Sequence, residues 1–556
     1  MKQTQSEQRN RRVNYFVPGE VVLVVEPPGP IDPSNIQQLI DGILSKSYAR
    51  ERLRTAEIDP RRVLVFDHAV SDDRTNAGHI AKQQRQPKRF LPGNRSGQAF
   101  DVRDLRRAAQ PQFALVPFEF KNDNQEPQQL TALIDGLNRG IRSELAQLIK
   151  EHGVLPPDTF LVRGASPNWL SSPCPLWGGV GGPGARPAPA SEDDYRIELL
   201  SMPELSEKGG GDNVDVAILD TAPSEEQLRL AHEKWVAKQE KPHELLRSLL
   251  DNGGAFAIGP SSRLELITAN DLGAVLPDPG ALRVRGHDYP MSDHGLFAAG
   301  IINSIAPNAH LRLIEVLNQR GIGTLESIAR ALHTLLEERK AGNTKPLVVN
   351  MSLTLAMPLE GHPRPDFDWS ILAADAPLLA LSLEWICAAL RCSNVSLVAA
   401  AGNDADEPDT ASRRPQARYP AAFPTVLGVG ALLEDSDQPT EYSNLADEPD
   451  GDGVWTFGGK AVNDVVGPET GMLGVYIGEF PTELDPASPE GLEYETEPST
   501  TGWGWWAGTS FAAPIVSGTL AALAGQSGLP AAEQALDNTA ALSALGGILR
   551  AKQGGL

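Results

Sequence analysis

Short β-rich runs and longer amphipathic stretches alternate along the chain. In the first third, Val21–Glu26 (VVLVVE), Arg62–Asp67 (RVLVFD), Ala114–Phe120 (ALVPFEF) and Thr159–Arg163 (TFLVR) read as strands. Between the first two, Asp32–Lys46 opens with Asp-Pro-Ser and places apolar residues at Ile36, Leu39, Ile40, Ile43 and Leu44, a helical spacing. Between the last two, Gln128–Glu151 repeats the pattern with Leu130, Leu133, Ile134, Leu137, Ile141, Leu145 and Leu148. The stretch 72–112 is polar and Arg-rich and predicts a long loop of disordered composition.

The predicted order is β-α-β-β-α-β, the pattern of a ferredoxin-like α+β domain. Gly178–Ala190 (GGVGGPGARPAPA) then marks a boundary, because such a run neither packs nor holds regular structure. It divides the chain into an N-terminal domain over 1–177, a linker over 178–195 and a larger domain over 196–556. In the larger domain, Val214–Leu219, Leu311–Val316, Leu347–Asn350, Val395–Ala400 and Thr425–Val429 are apolar strands separated by helix-length segments. Continuous apolar strands of this kind predict an α/β domain, a parallel sheet covered on both faces. Ser224–Leu250 reads as helical, and the acidic stretches 404–409 and 434–452 read as solvated loops without the ligand spacing of a calcium site.

Charge changes the picture of partners. The net charge over 556 residues is 49 − 72 = −23, which argues against nucleic acid, since phosphate binding needs clustered Lys and Arg. Residues 1–190 carry 25 Lys+Arg against 20 Asp+Glu, and the remainder 24 against 52, so the two parts differ in sign. Three cysteines (Cys174, Cys387, Cys392) do not make a disulfide framework and favour a reducing compartment. The first residues, MKQTQSEQRNRRVNYF, lack the apolar core of a secretory signal, and no run approaches the length of a spanning helix. The expectation is a cytoplasmic protein with no membrane or nucleic-acid partner, no cofactor and no metal.

Three segments carry candidate chemistry. Asp215–Asp220 (DVAILD) is an apolar strand ending in a carboxylate, at the end where parallel sheets present their ligand sites. In Ser292-Asp-His294-Gly-Leu-Phe-Ala-Ala-Gly, a histidine opens a helix of small and apolar residues, whereas His232, His243, His333 and His362 have no distinctive neighbours. In Gly508-Thr-Ser510-Phe-Ala-Ala-Pro514, a serine stands where a glycine turn enters a helix, near free N–H groups that suit a developing oxyanion. Pro514 is expected in the first helical turn, where proline is tolerated. Taken singly, each has a plainer reading as a cap, a turn or core packing.

Together the three resemble the subtilisin-like serine proteases, in which the chain order of the triad is Asp, His, Ser. The resemblance covers roughly 211–525 and is strongest in the surroundings of Ser510. It implies a three-layer subtilisin-like fold and a serine endopeptidase with Asp220, His294 and Ser510 as catalytic triad and a protein or peptide as substrate. It further implies Asn403, in Ala399-Ala400-Ala401-Gly402-Asn403, as oxyanion donor. Ser352, Leu353 and Thr354 on one side, and Ala400, Ala401 and Gly402 on the other, are the implied substrate-binding segments. The chain departs from the family at Ala222, Leu296, Phe297 and Thr354, where Gly, Thr, His and Gly are usual. Members of the family often carry an N-terminal domain of β-α-β-β-α-β order that inhibits the site. The first domain is therefore expected to be inhibitory or regulatory, or to bind a regulatory partner. A catalytically silent binding module on the same fold is the competing reading, opposed by the retention of all four catalytic side chains.

Overall fold

The structure is a computed structural model that describes residues 15–29, 36–66, 112–156, 159–173, 186–191, 196–203, 205, 210–238, 240–251, 253–279, 281–282, 289–357, 376–393, 395–405, 414–434, 436–446, 453–460, 466–468, 470–485, 493–525 and 547–554. Most of the expected loop 72–112 and much of the expected linker therefore lie outside the described residues.

The first elements are β1 (Phe16–Glu26), α1 (Ile36–Ser45), α2 (Ser47–Arg50), β2 (Leu64–Phe66), β3 (Phe113–Glu119), α3 (Pro127–His152) and β4 (Leu161–Ser172). Next come β5 (Ala188–Pro189), β6 (Arg196–Leu199), β7 (Asp215–Asp220), α4 (Glu225–Ala231), α5 (Glu244–Ser248), β8 (Leu264–Ile267), α6 (His294–Ile305), β9 (His310–Glu315), β10 (Gly323–Thr324), α7 (Leu325–Lys340), β11 (Leu347–Met351) and β12 (Thr354–Leu355). The last are α8 (Ala376–Leu379), α9 (Leu381–Cys392), β13 (Val395–Ala400), β14 (Leu427–Leu432), β15 (Val454–Phe457), β16 (Met472–Val475), β17 (Glu479–Leu484), β18 (Tyr494–Pro498), β19 (Trp503–Trp506), α10 (Thr509–Ala524), β20 (Ile548–Leu549) and β21 (Ala551–Gly554).

The N-terminal strands form an antiparallel sheet in the order β4-β1-β3-β2. The apolar stripes of α1 and α3 are buried through Leu39, Ile43, Leu130, Ile134, Leu137, Ile141 and Leu145. β4 runs to Ser172, well past the expected end at Arg163. Its last three residues, Leu170–Ser172, pair with β10 and β12 on the far side from β1.

The large sheet is parallel throughout, in the order β20-β15-β14-β13-β11-β7-β9-β8. Alternate side chains feed two cores. Val216, Ile218, Val348, Val398 and Ala400 face the core that holds α6 and α10. Ala217, Leu219, Val349, Leu397 and Ala399 face the core that holds α7 and α9. The second core continues without a break into β1, β3 and β4, so the antiparallel sheet and the large parallel sheet share it. At this seam Phe66 packs on His333 at 4.8 Å, Phe113 on Trp385 at 5.2 Å, and Trp169 donates to Leu379 O at 3.1 Å. The charged contact there is local: Arg62 donates to Glu20 (2.7 Å) and to Glu326 of α7 (2.9 Å), all three largely buried. Removing one member of such a buried cluster typically costs about 3–5 kcal/mol, because the others lose their partner. Among the described residues, no helix is long and apolar enough to cross a membrane.

The expected helix Ser224–Leu250 is broken. α4 runs into one π turn over His232–Val236, and α5 starts only after Pro242, which cannot donate to a helical bond. His243 begins α5 with its Nδ1 accepting from Leu245 N at 3.0 Å, and the ring lies 4.8 Å from Trp503. Burial, with Arg247 nearby, pushes its pKa down to about 3. The folded state thus holds His243 neutral, and its contribution is complete above the unfolded value near 6.5 and lost as pH falls toward 3. His243→Asn, which keeps a capping acceptor without a titrating proton, is expected to flatten acid unfolding between pH 6.5 and 3. The loss avoided is about 1.4 kcal/mol per unit of pH across that window, read as stability from denaturant titrations at successive pH values.

Candidate active site

β7 delivers Asp220 at its C-terminal end, fully buried. Its Oδ1 lies 2.8 Å from His294 Nδ1 and accepts from Thr221 N at 2.7 Å. An ionised carboxylate can only accept, so the Nδ1 proton points at Asp220 and leaves Nε2 unprotonated in the neutral ring. His294 is the first residue of α6, as expected from the small residues behind it. Gly295 is required: a Cβ there would stand 2.2 Å from Thr221 O and 2.8 Å from Asp220 Cβ. Trp506 and Phe511 enclose the imidazole, with ring centroids at 5.3 and 5.2 Å. The departures Leu296 and Phe297 are buried, and Phe297 packs on Phe511 at 4.6 Å beneath the histidine.

Ser510 is the second residue of α10. The helix starts at Thr509, so Pro514 lies inside it and not in the first turn as expected. A proline there removes the N–H that would bind the carbonyl four residues back. That carbonyl is Ser510 O, and Ser352 Oγ donates to it at 2.7 Å. Ser352 Oγ in turn accepts from Asn350 Nδ2 at 2.9 Å, and Ser510 Oγ donates to Ser352 O at 3.0 Å. The β11 end is thereby tied to the serine by two bonds.

Asn403 follows β13. Its Oδ1 accepts from Thr509 N at 3.0 Å and from Thr509 Oγ1 at 2.9 Å, which turns the amide nitrogen away from Thr509. Nδ2 lies 3.3 Å from where a Cβ on Gly508 would stand, and Gly508 has φ +150°, a value that favours glycine. Ala400, Ala401 and Gly402 are buried, with Gly402 N donating to Thr509 Oγ1 at 3.2 Å. Behind Asn403, Asp404 and Arg418 form a buried two-bond pair at 2.7 Å each, and Asn444 Nδ2 donates to Asp404 at 2.7 Å. Arg418 also donates to Met357 O at 2.7 Å, which links the loop after β13 to the segment after β12.

His294, Ser510 and Asn403 line one small cavity together with Tyr289, Met291, Trp506 and Pro173. A base, a hydroxyl and an amide donor around one space is the arrangement acyl transfer requires. Pro173 follows β4, and the end of that strand enters between the edges formed by β10 and β12. Ser172 pairs with Thr354, Ser171 with Leu355 and Gly323, and Leu170 with Thr324, all antiparallel. Ala356 N also donates to Leu170 O at 2.7 Å. The Thr354 side chain, where the family usually has glycine, is buried at this seam. The sequence reading missed Pro173, Gly323, Thr324, Asp404 and Arg418. Its available sign was the pair Gly321 and Gly323, since a Cβ at 323 would stand 2.9 Å from Ser171 Oγ. Trp503–Trp506 form β19, paired with β16 and with β5 from the expected linker, and Trp506 serves both core and cavity.

The subtilase family model matches residues 211–548, which contain every element of this site except β4. The chain belongs to the subtilase family. It is 36% identical over 163 residues to the subtilisin-like protease PopC of Myxococcus xanthus, a match covering 28% of this chain and 30% of that protein. It is 26% identical over 263 residues to an intracellular serine protease of Paenibacillus polymyxa, covering 46% and 60%. The matched region spans between about a third and three fifths of the length of these curated relatives. Among solved structures, a lanthipeptide protease aligns over 61% of this subtilase and 83% of its own chain, with TM-score 0.37 and 20% identity. The family frame agrees with the α/β architecture and parallel central sheet of the larger domain.

Proposed function

We infer that this subtilase is a serine endopeptidase in which Ser510 is the nucleophile, His294 the general base and acid, and Asp220 the group that holds the imidazole. The observation that carries the reading is the 2.8 Å contact of Asp220 with His294 Nδ1 beside a cavity shared with Ser510. Ser510 Oγ forms a bond to the scissile carbonyl carbon while its proton moves to His294 Nε2. Asn403 Nδ2 and Ser510 N–H meet the oxyanion. The C–N bond then breaks, His294 returns the proton to the departing amine, and water repeats the sequence to free Ser510. Ser352, Leu353 and Thr354 on one side and Ala400, Ala401 and Gly402 on the other are the peptide-binding segments.

The division into an N-terminal domain over 1–177, a linker and a peptidase over 196–556 belongs to the same reading. The strand order β4-β1-β3-β2 with two crossing helices supports a ferredoxin-like domain. Pro173 in the cavity, and β4 between β10 and β12, support an inhibitory role, since an extended substrate needs the same edges. A cytoplasmic setting fits the sparse cysteines and the intracellular relative.

A fluorophosphonate probe tests both parts on the full chain. The label is expected on Ser510, located by peptide mapping. Ser172→Pro, which removes a backbone donor from the β4 edge, is expected to raise the labelling rate on the order of tenfold, one such bond contributing about 1–1.5 kcal/mol. No label on Ser510 in either protein would end the enzymatic reading. Equal rates in both would mean that β4 does not limit access.

A further inference from the structure

We propose that Asp293 is a positioning residue that ties the β17–β18 hairpin to the helix bearing His294, and so holds the aromatic wall on which the imidazole rests. The inference rests on the reading of His294 as the general base.

Asp293 is the residue before α6 and is 1% exposed, yet its side chain makes no cap bond to that helix. It turns instead to the segment entering β17. Oδ2 accepts from Ile477 N at 2.7 Å and from Gly478 N, 184 and 185 positions away in sequence. Oδ1 is buried without a hydrogen-bond partner among the described residues. The approach needs glycine, because a Cβ at 478 would stand 2.9 Å from Asp293 Oδ2. Tyr476, immediately before the tied pair, stacks on Phe480 at 4.3 Å and donates to Glu479 O at 2.8 Å. Its ring meets Trp506 edge-on at 5.9 Å, and Trp506 meets His294 at 5.3 Å and 89°. Carboxylate, hairpin base, Tyr476, Trp506 and imidazole thus form one contiguous series of contacts. An isolated two-stranded hairpin is marginal in water, so its root needs such an anchor.

The tie depends on charge. A carboxylate accepts two backbone donors more strongly than a protonated acid does. Burial raises the Asp293 pKa to about 6, against the two N–H bonds that lower it. Of the titratable groups near it, Tyr476 interacts with Asp293 and also with Tyr289 and Glu479, and His294 follows it in the chain. Above about pH 6 the carboxylate holds both donors, and below it the bond weakens.

The low-field NMR resonance of the proton between His294 Nδ1 and Asp220 reads the position of the imidazole in the full chain whether or not the cavity is open. Asp293→Asn keeps an acceptor oxygen without the titration and is expected to retain this resonance. Asp293→Ala removes the acceptor, and Gly478→Ala displaces it from the hairpin side. Both are expected to lose the resonance to exchange with water and to slow fluorophosphonate labelling of Ser510 on the order of tenfold to a hundredfold. In the wild type the labelling rate falls as the pH is lowered through an ionisation near pH 6 that Asp293→Asn lacks. Wild-type resonance and labelling in both Asp293→Ala and Gly478→Ala would overturn the proposal. A wild type and a Ser172→Pro variant that both take no label while the resonance follows the expected pattern would instead sink the enzymatic reading and leave the tie standing.

Discussion

Replacing Ser510 with alanine is expected to reduce peptide hydrolysis by roughly 10⁶-fold, to the level left by the oxyanion donors and binding alone. That scale is the one known for the triad of subtilisin itself, carried over to this chain. His294→Ala is expected to cost about as much, because serine and base act as a unit and removing either removes the step. The two variants should differ in stability. Ser510→Ala deletes one hydroxyl whose bond is to Ser352 O, whereas His294→Ala takes the imidazole from a fully buried Asp220 carboxylate and leaves it with Thr221 N. Hydrolysis of a quenched peptide, with folding followed by circular dichroism, checks both points. Full activity in either folded variant would refute the assignment.

Asn403→Ala is expected to lower kcat by about 10²–10³-fold with little change in KM, again the magnitude known for the corresponding donor in subtilisin. The reason for the split is that the contact strengthens only as negative charge develops on the carbonyl oxygen. Here the amide is oriented beforehand, since Thr509 N and Oγ1 occupy its oxygen and leave the nitrogen to donate. A variant altered only in KM would mean that Asn403 holds the substrate without stabilising the oxyanion. Steady-state kinetics on one peptide over a wide concentration range separates the two outcomes.

Much of the fold was legible because buried parallel strands are continuous apolar runs. Val395–Ala400 coincides with β13, and Val214–Leu219 differs from β7 by one residue. β4 was half legible: Leu161–Arg163 opens on an apolar run against β1, but Gly164–Ser172, paired first with β1 and at Leu170–Ser172 with β10 and β12, carries Gly, Ser, Pro and Asn with no local pattern. The four candidate catalytic residues were visible because each stands in a short local motif, although the motifs lie far apart in sequence. Asp293, Arg418 and Pro173 were not, because each acts through a partner far along the chain, as Asp293 does through Gly478. Charge was the least informative signal. The opposite signs of the two parts say nothing of how they meet, and the seam is an apolar core with a few buried charged groups.

The pairing of β4 with β10 and β12 also bears on solubility. A groove that accepts extended chains is a pair of strand edges with unpaired N–H and C=O groups, and such edges join any extended segment that meets them, including those of neighbouring copies. In this molecule Gly323–Thr324 and Thr354–Leu355 are both already paired, and the strand that covers them is anchored by a core running through both domains. Natural sheets usually blunt their edges with charge, proline or a bulge. Here Pro173 closes the covering strand at the cavity, and the three residues before it, Leu170–Ser172, keep both edges from neighbouring copies.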